Sequence, residues 1–511
     1  MKKLPIIKHI GTALLLGGIA GLVTGTVITL YKLCAKHIVH LSEQGYHLFS
    51  EQPLWLIVAA AALIILAGVL AAIYRRTSNL RGGGIPTAIG MLRGWIPFQW
   101  VRNAVGVFVL SLTSFLAGVP LGTEGPSVQL GTTLGDGCSR LLGKRGKAWS
   151  RYGMTGGACA GFSTATGAPL SGILFAIEEA HNRISPLILI VAASAVTVAR
   201  LVSDLLAPVL DVSSTLFPAL ELRPMGIADL WIPVALGVVM GLFAVLFLSF
   251  YRSMSQLLNH KLAKVPHFYK ILAFLLLTLG FGWSSFSYVS TGHELILHLF
   301  TGETIVLLVV ILLVRTTLTV GANVTGITGG IFLPLMAIGA TVASLFAEVA
   351  TACGLDESYY AVMLVLGITA CIAAMMKMSM TAIAFAVEAL SGAGIILPVL
   401  LVAGVSYGLT EWLGAVSIND RVLDGRMEKI HEGREVITVE TSVKVQPHSF
   451  ADGKEIRDIL WPDGLFVLAV DAGSAHGGNH LHAGDSLQVR YSTRFENRLK
   501  KELVAIVGEQ E

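Results

Sequence analysis

Apolar segments recur along the chain near residues 10–33, 54–74, 103–119, 155–177, 185–207, 229–250, 270–286, 304–320, 330–350, 360–375, 380–391 and 393–415. A helix crossing a bilayer perpendicularly needs about 20 apolar residues, and several of these segments are shorter. Many are also interrupted by glycine, as at Gly82-Gly83-Gly84, Gly156-Gly157 and Gly329-Gly330. Short, interrupted segments predict discontinuous helices, which lipid tolerates only where the exposed backbone lines a cavity. Close packing through small residues explains most of the other glycines, but not those beside Pro or Glu at mid-membrane positions. The run 10–33 follows Met-Lys-Lys, as the core of a signal peptide would. It is nevertheless as long as a full span and has no small-residue cleavage site after it, so it reads as a retained first membrane helix.

The pattern changes after about residue 425. Val436–Val439, Ser442–Val445, Leu465–Val470 and Ser486–Tyr491 alternate like short strands. Asp452–Ile459 reads as a short helix, with turns at Pro462-Asp463-Gly464 and Gly484-Asp485. The expected organisation is therefore a helical membrane domain over 1–425 and a small soluble α/β domain over 430–511. Lys and Arg cluster at Arg75-Arg76 with Arg81, from Arg140 to Arg151, and from Arg252 to Lys270. The positive-inside rule makes these loops cytoplasmic, and the tail with them if the span count is even.

Composition agrees with a lipid-facing chain. Of 511 residues, 54% are hydrophobic and 14% charged, against about 25% charged in an ordinary soluble protein. A net charge of +3 argues against a nucleic-acid partner. Cys34, Cys138, Cys159, Cys353 and Cys371 are scattered and lack a CxxC pair, so they read as small core residues.

The chain also repeats itself. Pro169–Glu178 (PLSGILFAIE) resembles Ser379–Glu388 (SMTAIAFAVE) at an offset of 210, each ending an apolar helix with glutamate. Gly122, Pro126 and Gly131 match Gly330, Pro334 and Gly339 at an offset of 208. Chance alignment of apolar helices is the competing explanation. Two matches at nearly one offset imply duplicated halves, about 10–215 and 225–425, the arrangement that places a transporter's substrate between repeats.

Three segments carry candidate chemistry: Gly82-Gly83-Gly84-Ile85-Pro86, Gly122-Thr123-Glu124-Gly125-Pro126 and Gly330-Ile331-Phe332-Leu333-Pro334. Proline suits the first turn of a helix, and glycine lets the chain bend before it. A helix N-terminus within the membrane offers free N–H groups and partial positive charge, and several together make an anion site. A full positive charge there would hold the anion too tightly for fast release. Ordinary helix starts at the membrane surface would need the same residues, but three such segments, two of them repeat-related, favour a shared site. Glu124 sharpens this reading: a carboxylate at bilayer depth costs about 2.5–3.5 kcal/mol and marks function. At a helix N-terminus it could occupy the anion site and leave on protonation, coupling a proton to an anion. A surface helix cap is the alternative.

Together these residues resemble the CLC family of chloride channels and proton-coupled chloride antiporters, whose corresponding segments read GSGIP, GREGP or GKEGP, and GxFxP. The resemblance runs from about residue 10 to 425 and includes Gly161 to Glu179, close to the family's APLAGxLFxxEE. It implies an all-α membrane fold of two inverted repeats with tilted, broken and re-entrant helices, assembled as a homodimer with one pore per subunit. It further implies that Glu124 is the external gate and Glu179 the internal proton-transfer residue, with a plain helix-end role as the alternative for Glu179. The anion would lie among Gly83, Gly84, Thr123, Glu124, Gly125, Ile331, Phe332 and Asn419. The tail is similar to the TrkA-C regulatory module of potassium-transport proteins, through Gly453–Ile459, the Trp461-Pro462 turn and Leu481–Leu487.

Departures bear on mechanism. Gly83 replaces the family's serine, Asn419 its tyrosine, and Thr123 its Arg or Lys, which weakens the central site and the outer positive field. The resemblance thus implies exchange of chloride for protons in an inner membrane with a cytoplasmic tail. Alternatives are a passive or weakly coupled anion conductor, a fluoride-exporting member, or a membrane enzyme or sensor acting through the tail on an unknown small ligand. No enzyme motif or cofactor is indicated. His476, His480 and His482 sit on a glycine-rich stretch without cysteines, a poor metal set. Arg200, Arg315 and Lys377 read as pairing or interfacial residues.

Overall fold

The computed structural model describes residues 3–181, 185–431, 435–471 and 473–510. The first half holds α1 (Lys3–Glu51), α2 (Trp55–Arg76), α3 (Ile85–Leu92), α4 (Trp100–Leu116), α5 (Glu124–Ser139), α6 (Gly146–Thr166), α7 (Pro169–Phe175) and α8 (Pro186–Leu206). The second holds α9 (Trp231–Gln256), α10 (His267–Ser284), α11 (His293–Leu299), α12 (Ile305–Thr325), α13 (Phe332–Ala352), α14 (Tyr360–Cys371), α15 (Ser379–Ala389), α16 (Ile396–Trp412) and α17 (Ile418–His431). Among the described residues, nine helices are long and apolar enough to cross a membrane.

Exposure follows from which faces meet lipid. On α2 only Leu63, Ala67, Leu70 and Tyr74 are buried, while Ile57 and Ile65 lie open. Without lipid this face would be a large apolar patch in water. By contrast, α14 is buried all round after its first turn, as a helix enclosed by others must be. The apolar run at 155–177 is two helices, because Gly167 turns the chain left-handed (φ +75) just before Pro169. The run 10–33 is part of a 49-residue helix, about 70 Å long at 1.5 Å per residue.

The repeat appears as reciprocal backbone pairing. Gly122 and Gly330, the offset-related glycines, form an isolated antiparallel bridge. The Gly122 N–H donates to the Gly330 carbonyl (2.6 Å), and the Gly330 N–H to the Gly122 carbonyl (3.0 Å). The two halves therefore meet where their helices α5 and α13 begin.

The tail contains a four-stranded antiparallel sheet in the order β1-β4-β2-β3. Its strands are β1 (Ile437–Lys444), β2 (Leu465–Val470), β3 (Gly473–Ser474) and β4 (Ser486–Thr493), followed by α18 (Glu496–Val507). The two expected strands Val436–Val439 and Ser442–Val445 are one strand, since Glu440 and Thr441 also pair with β4. The expected helix Asp452–Ile459 shrinks to a single turn at Ile456–Asp458. Helix α18 escapes a strand-based reading; it buries Leu499, Leu503, Ile506 and Val507.

The tail docks on one face of the membrane domain. Tyr152 Oη donates to the Asp458 carbonyl (2.7 Å) and accepts from the Leu460 N–H (3.0 Å). Arg151 donates to the Trp461 carbonyl (2.7 Å), and Trp95 Nε1 to Asp463 (2.6 Å). Helix α17 leads into the tail on that same face.

Candidate functional site

The N-termini of α3, α5 and α13 converge where three glycines let backbones touch. A Cβ on Gly125 would lie 2.6 Å from the Gly330 Cα and 3.0 Å from the Gly84 Cα. No side chain fits that contact, so glycine at these positions is what brings the helix starts together. First-turn N–H groups have no acceptor within their own helix, so those of α5 and α13 face this junction. Phe332, the first residue of α13, packs edge-on against Phe162 (5.3 Å) and Phe385 (5.6 Å), which closes the surroundings with apolar rings.

Glu124 opens α5 and is fully buried. Its Oε1 accepts from Thr123 Oγ1 (3.0 Å). Its Oε2 has no partner among the described residues and lies beside Gly122 and Leu333. The carboxylate is thus held at the helix starts by the Thr123 hydroxyl and its own backbone N–H, with Oε2 left over.

Beyond Thr123 opens a cavity of about 570 Å³ lined by Lys32, Lys36, His40, His293 and Leu333. It lies at the end of α5 away from the docked tail. Lys32 and His293 are the basic neighbours that act electrostatically on Glu124. His293 is held by its Nε2–H donating to the Leu216 carbonyl (2.8 Å) and by stacking on Phe217 (5.6 Å). The basic side chains at this mouth therefore come from α1 and α11, alongside Glu43 and Glu294, and not from residue 123. No local motif announces either residue; Lys32 lies 92 positions and His293 169 positions from Glu124 in sequence.

Glu179 lies in a wide π turn after α7, on the tail-bearing side of the junction. Its Oε1 accepts from Asn419 Nδ2 (2.8 Å). Asn419, near the start of α17, is 1% exposed, and its Oδ1 lacks a partner among the described residues. The structure thus joins two candidates that sequence reasoning treated separately. The Glu179 carbonyl accepts from Arg93 Nη2 (3.1 Å), and the Arg93 carbonyl accepts from Arg151 Nη2 (3.0 Å). Arg151 in turn pairs with Glu502 of the tail (3.3 Å), so a continuous polar chain runs from tail to Glu179.

Gly83 and Gly84 differ in what they offer. The Gly84 N–H is taken by Gln129 Oε1 (2.9 Å), whose Nε2 donates to Asn103 (3.0 Å). Gly83 has φ +138, and a Cβ there would meet Gln129 Oε1 at 3.2 Å. Buried Gln129 is a neighbour of the site that the motif reading did not include.

The other polar candidates are tied into the fold. Arg315 is buried and donates to the carbonyls of Ser287 and Ser290. Arg200 pairs with Asp204, and Lys377 with Glu411. In the tail, His480 faces Glu455 and His482 faces Asp485; among the described residues no group of His, Cys, Asp or Glu could hold a metal.

The family model described as voltage gated chloride channel matches residues 63–411, more than half of the chain. Among solved structures, a slow cyanobacterial Cl⁻/H⁺ antiporter is similar with a TM-score of 0.72 at 24% identity, covering 82% of this chain and 98% of that one. A eukaryotic CLC transporter gives 0.64 at 18%, covering 81% and 74%, and a CLC-type fluoride/proton antiporter 0.63 at 21%, covering 78% and 95%. At these identities the structures speak for the fold, while the family match speaks for membership: the chain belongs to the voltage gated chloride channel family, CLC, of multi-pass membrane anion transporters.

Proposed function

We propose that this protein exchanges chloride for protons, with Glu124 as gate and Glu179 as proton-transfer residue. The observation that carries the reading is a buried carboxylate, Glu124, and a half-buried one, Glu179, on opposite sides of one junction of helix N-termini. Ionised Glu124 occupies the anion position at the start of α5. On taking a proton it loses its attraction for the helix N-termini and yields the place to chloride. Glu179, held by Asn419, passes the proton to or from the tail-bearing side. Chloride is held by N–H groups of Thr123, Gly125, Ile331 and Phe332, with Gly83, Gly84 and Asn419 nearer the tail side.

In this reading the protein is a transporter rather than an enzyme, works as a homodimer in the inner membrane, and keeps residues 430–511 in the cytoplasm as a TrkA-C-like regulatory domain. A weakly coupled conductor is the second reading, favoured by residue 419: asparagine cannot close the path as an aromatic ring would. Purified protein in liposomes separates the two. Glu124→Gln should abolish proton movement while chloride flux persists; proton movement unchanged in that variant overturns the gate assignment.

A further inference from the structure

Three arginines face a cavity that the transport reading does not use. It has a volume of about 220 Å³, lies beneath the Gly82–Gly84 loop and is lined by Arg81, Arg421 and Arg426 with the polar groups of Tyr74, Tyr251 and Asn323. Among the described residues no Asp or Glu lines it. The Arg426 guanidinium abuts Gly82, and the Arg81 side chain packs against Gly326. Arg426 Nη1 is buried without a partner among the described residues. Arg421 donates through Nε to the Val416 carbonyl (3.3 Å). The carboxylates nearest in sequence are engaged or turned away: Asp420 accepts from Ser417 (2.8 Å), and Asp424 is exposed.

Clustered like charges, here half-buried, are costly unless an opposite charge joins them, and among the described residues no carboxylate lines the cavity to do so. We propose that this cavity binds an oxyanion of the phosphate class. Guanidinium forks match phosphate oxygens two at a time, which a spherical halide cannot exploit. Three full charges would also retain their ligand rather than release it at transport speed. The site is therefore suited to retention and regulation rather than to rapid passage of the ion. Arg421 and Arg426 sit on α17 and Arg81 on the strand of chain leading to α3, so a bound oxyanion ties these two elements together. Helix α17 also carries Asn419, the partner of Glu179, which gives the ligand a mechanical route to the proton-transfer residue. The binding claim does not depend on whether transport is proton-coupled.

Full-length protein in detergent tests the claim, with inorganic phosphate as probe and chloride at matched ionic strength as control. Phosphate should raise the unfolding temperature saturably, and chloride should not. Arg426→Lys keeps charge and bulk but loses the fork, and should weaken phosphate binding by at least about tenfold; Arg81→Gln should do the same, with gel-filtration profiles checking that both fold. Nanodiscs containing phosphatidate or only phosphatidylcholine distinguish a lipid headgroup from free phosphate: protection by phosphatidate alone assigns the lipid as the source of the same chemistry. Equal stabilisation by chloride and phosphate, or undiminished phosphate binding in both variants, overturns the proposal.

Discussion

Glu178 and Glu388, repeat partners 210 residues apart, each cap the start of the helix that leads to the other. Glu178 accepts from the backbone N–H groups of Met380 (3.0 Å) and Thr381 (2.9 Å), with the Ser379 and Thr381 hydroxyls added. Glu388 accepts from the N–H groups of Leu170 (2.7 Å) and Ser171 (2.9 Å), and from the Ser171 hydroxyl. Each carboxylate thus satisfies first-turn donors of α15 or α7 and lies against the positive end of that helix. The exchange is the side-chain counterpart of the Gly122–Gly330 backbone bridge.

Glu178→Ala and Glu388→Ala should therefore destabilise the protein by similar amounts, about 1–2 kcal/mol each. Chemical unfolding in detergent micelles measures this. A large loss at one position with none at the other would contradict the reciprocal arrangement.

Gly83 and Asn419, the two departures from the family's usual residues, should respond differently to substitution. Gly83→Ser places a side chain at φ +138 against Gln129, a strain of about 1–3 kcal/mol, so reduced stability is expected. Asn419→Leu removes the amide that donates to Glu179 at nearly unchanged volume, and should slow proton transport more than chloride transport. Paired ion-flux recordings on that variant check this; equal slowing of both ions would dissociate Asn419 from the proton route.

Lys454 should make the stability of the docked tail depend on pH. It is 5% exposed, donates to the Phe450 carbonyl (2.7 Å) and lies over the Trp149 ring of α6. Burial pushes its ammonium down to about 6, with Asp458 pulling the other way. An unfolded lysine keeps its proton up to about 10.4, so between these values the unfolded form binds more protons and stability rises with pH. The gain is complete above the unfolded value and lost as pH falls to about 6. Hydrogen exchange across residues 450–461, corrected for intrinsic rates, should show protection growing from pH 6.5 to 8.5 in the full-length protein. Lys454→Met should flatten that slope; an unaltered slope would assign the dependence to other groups.

How much of this was legible in the sequence follows from what each feature requires. Helix starts that touch through Gly84, Gly125 and Gly330 need particular residue types, so the three motifs stood out. The repeat showed at offsets of 208 and 210 for the same reason. Helix α5 is a different case: after its opening motif it is built of small and polar residues such as Thr132, Thr133 and Asp136, buried against protein rather than lipid, so hydropathy does not mark it. Helix α18 is half charged or polar, its apolar residues crowd toward its end, and it buries one narrow stripe. The contacts that complete the site join distant positions, as Asn419 does to Glu179 across 240 residues, and Lys32 and His293 do around Glu124. No local pattern encodes such a meeting; only the packed repeat produces it.

The most direct test of the central claim is simultaneous recording of chloride and protons in liposomes carrying the purified protein. An outward chloride gradient, with no initial pH difference, should drive protons into the liposomes as chloride leaves, and Glu124→Gln should remove the proton signal. Chloride efflux from the unmodified protein with no proton movement would contradict coupled exchange and leave Glu124 a gate without a proton to carry.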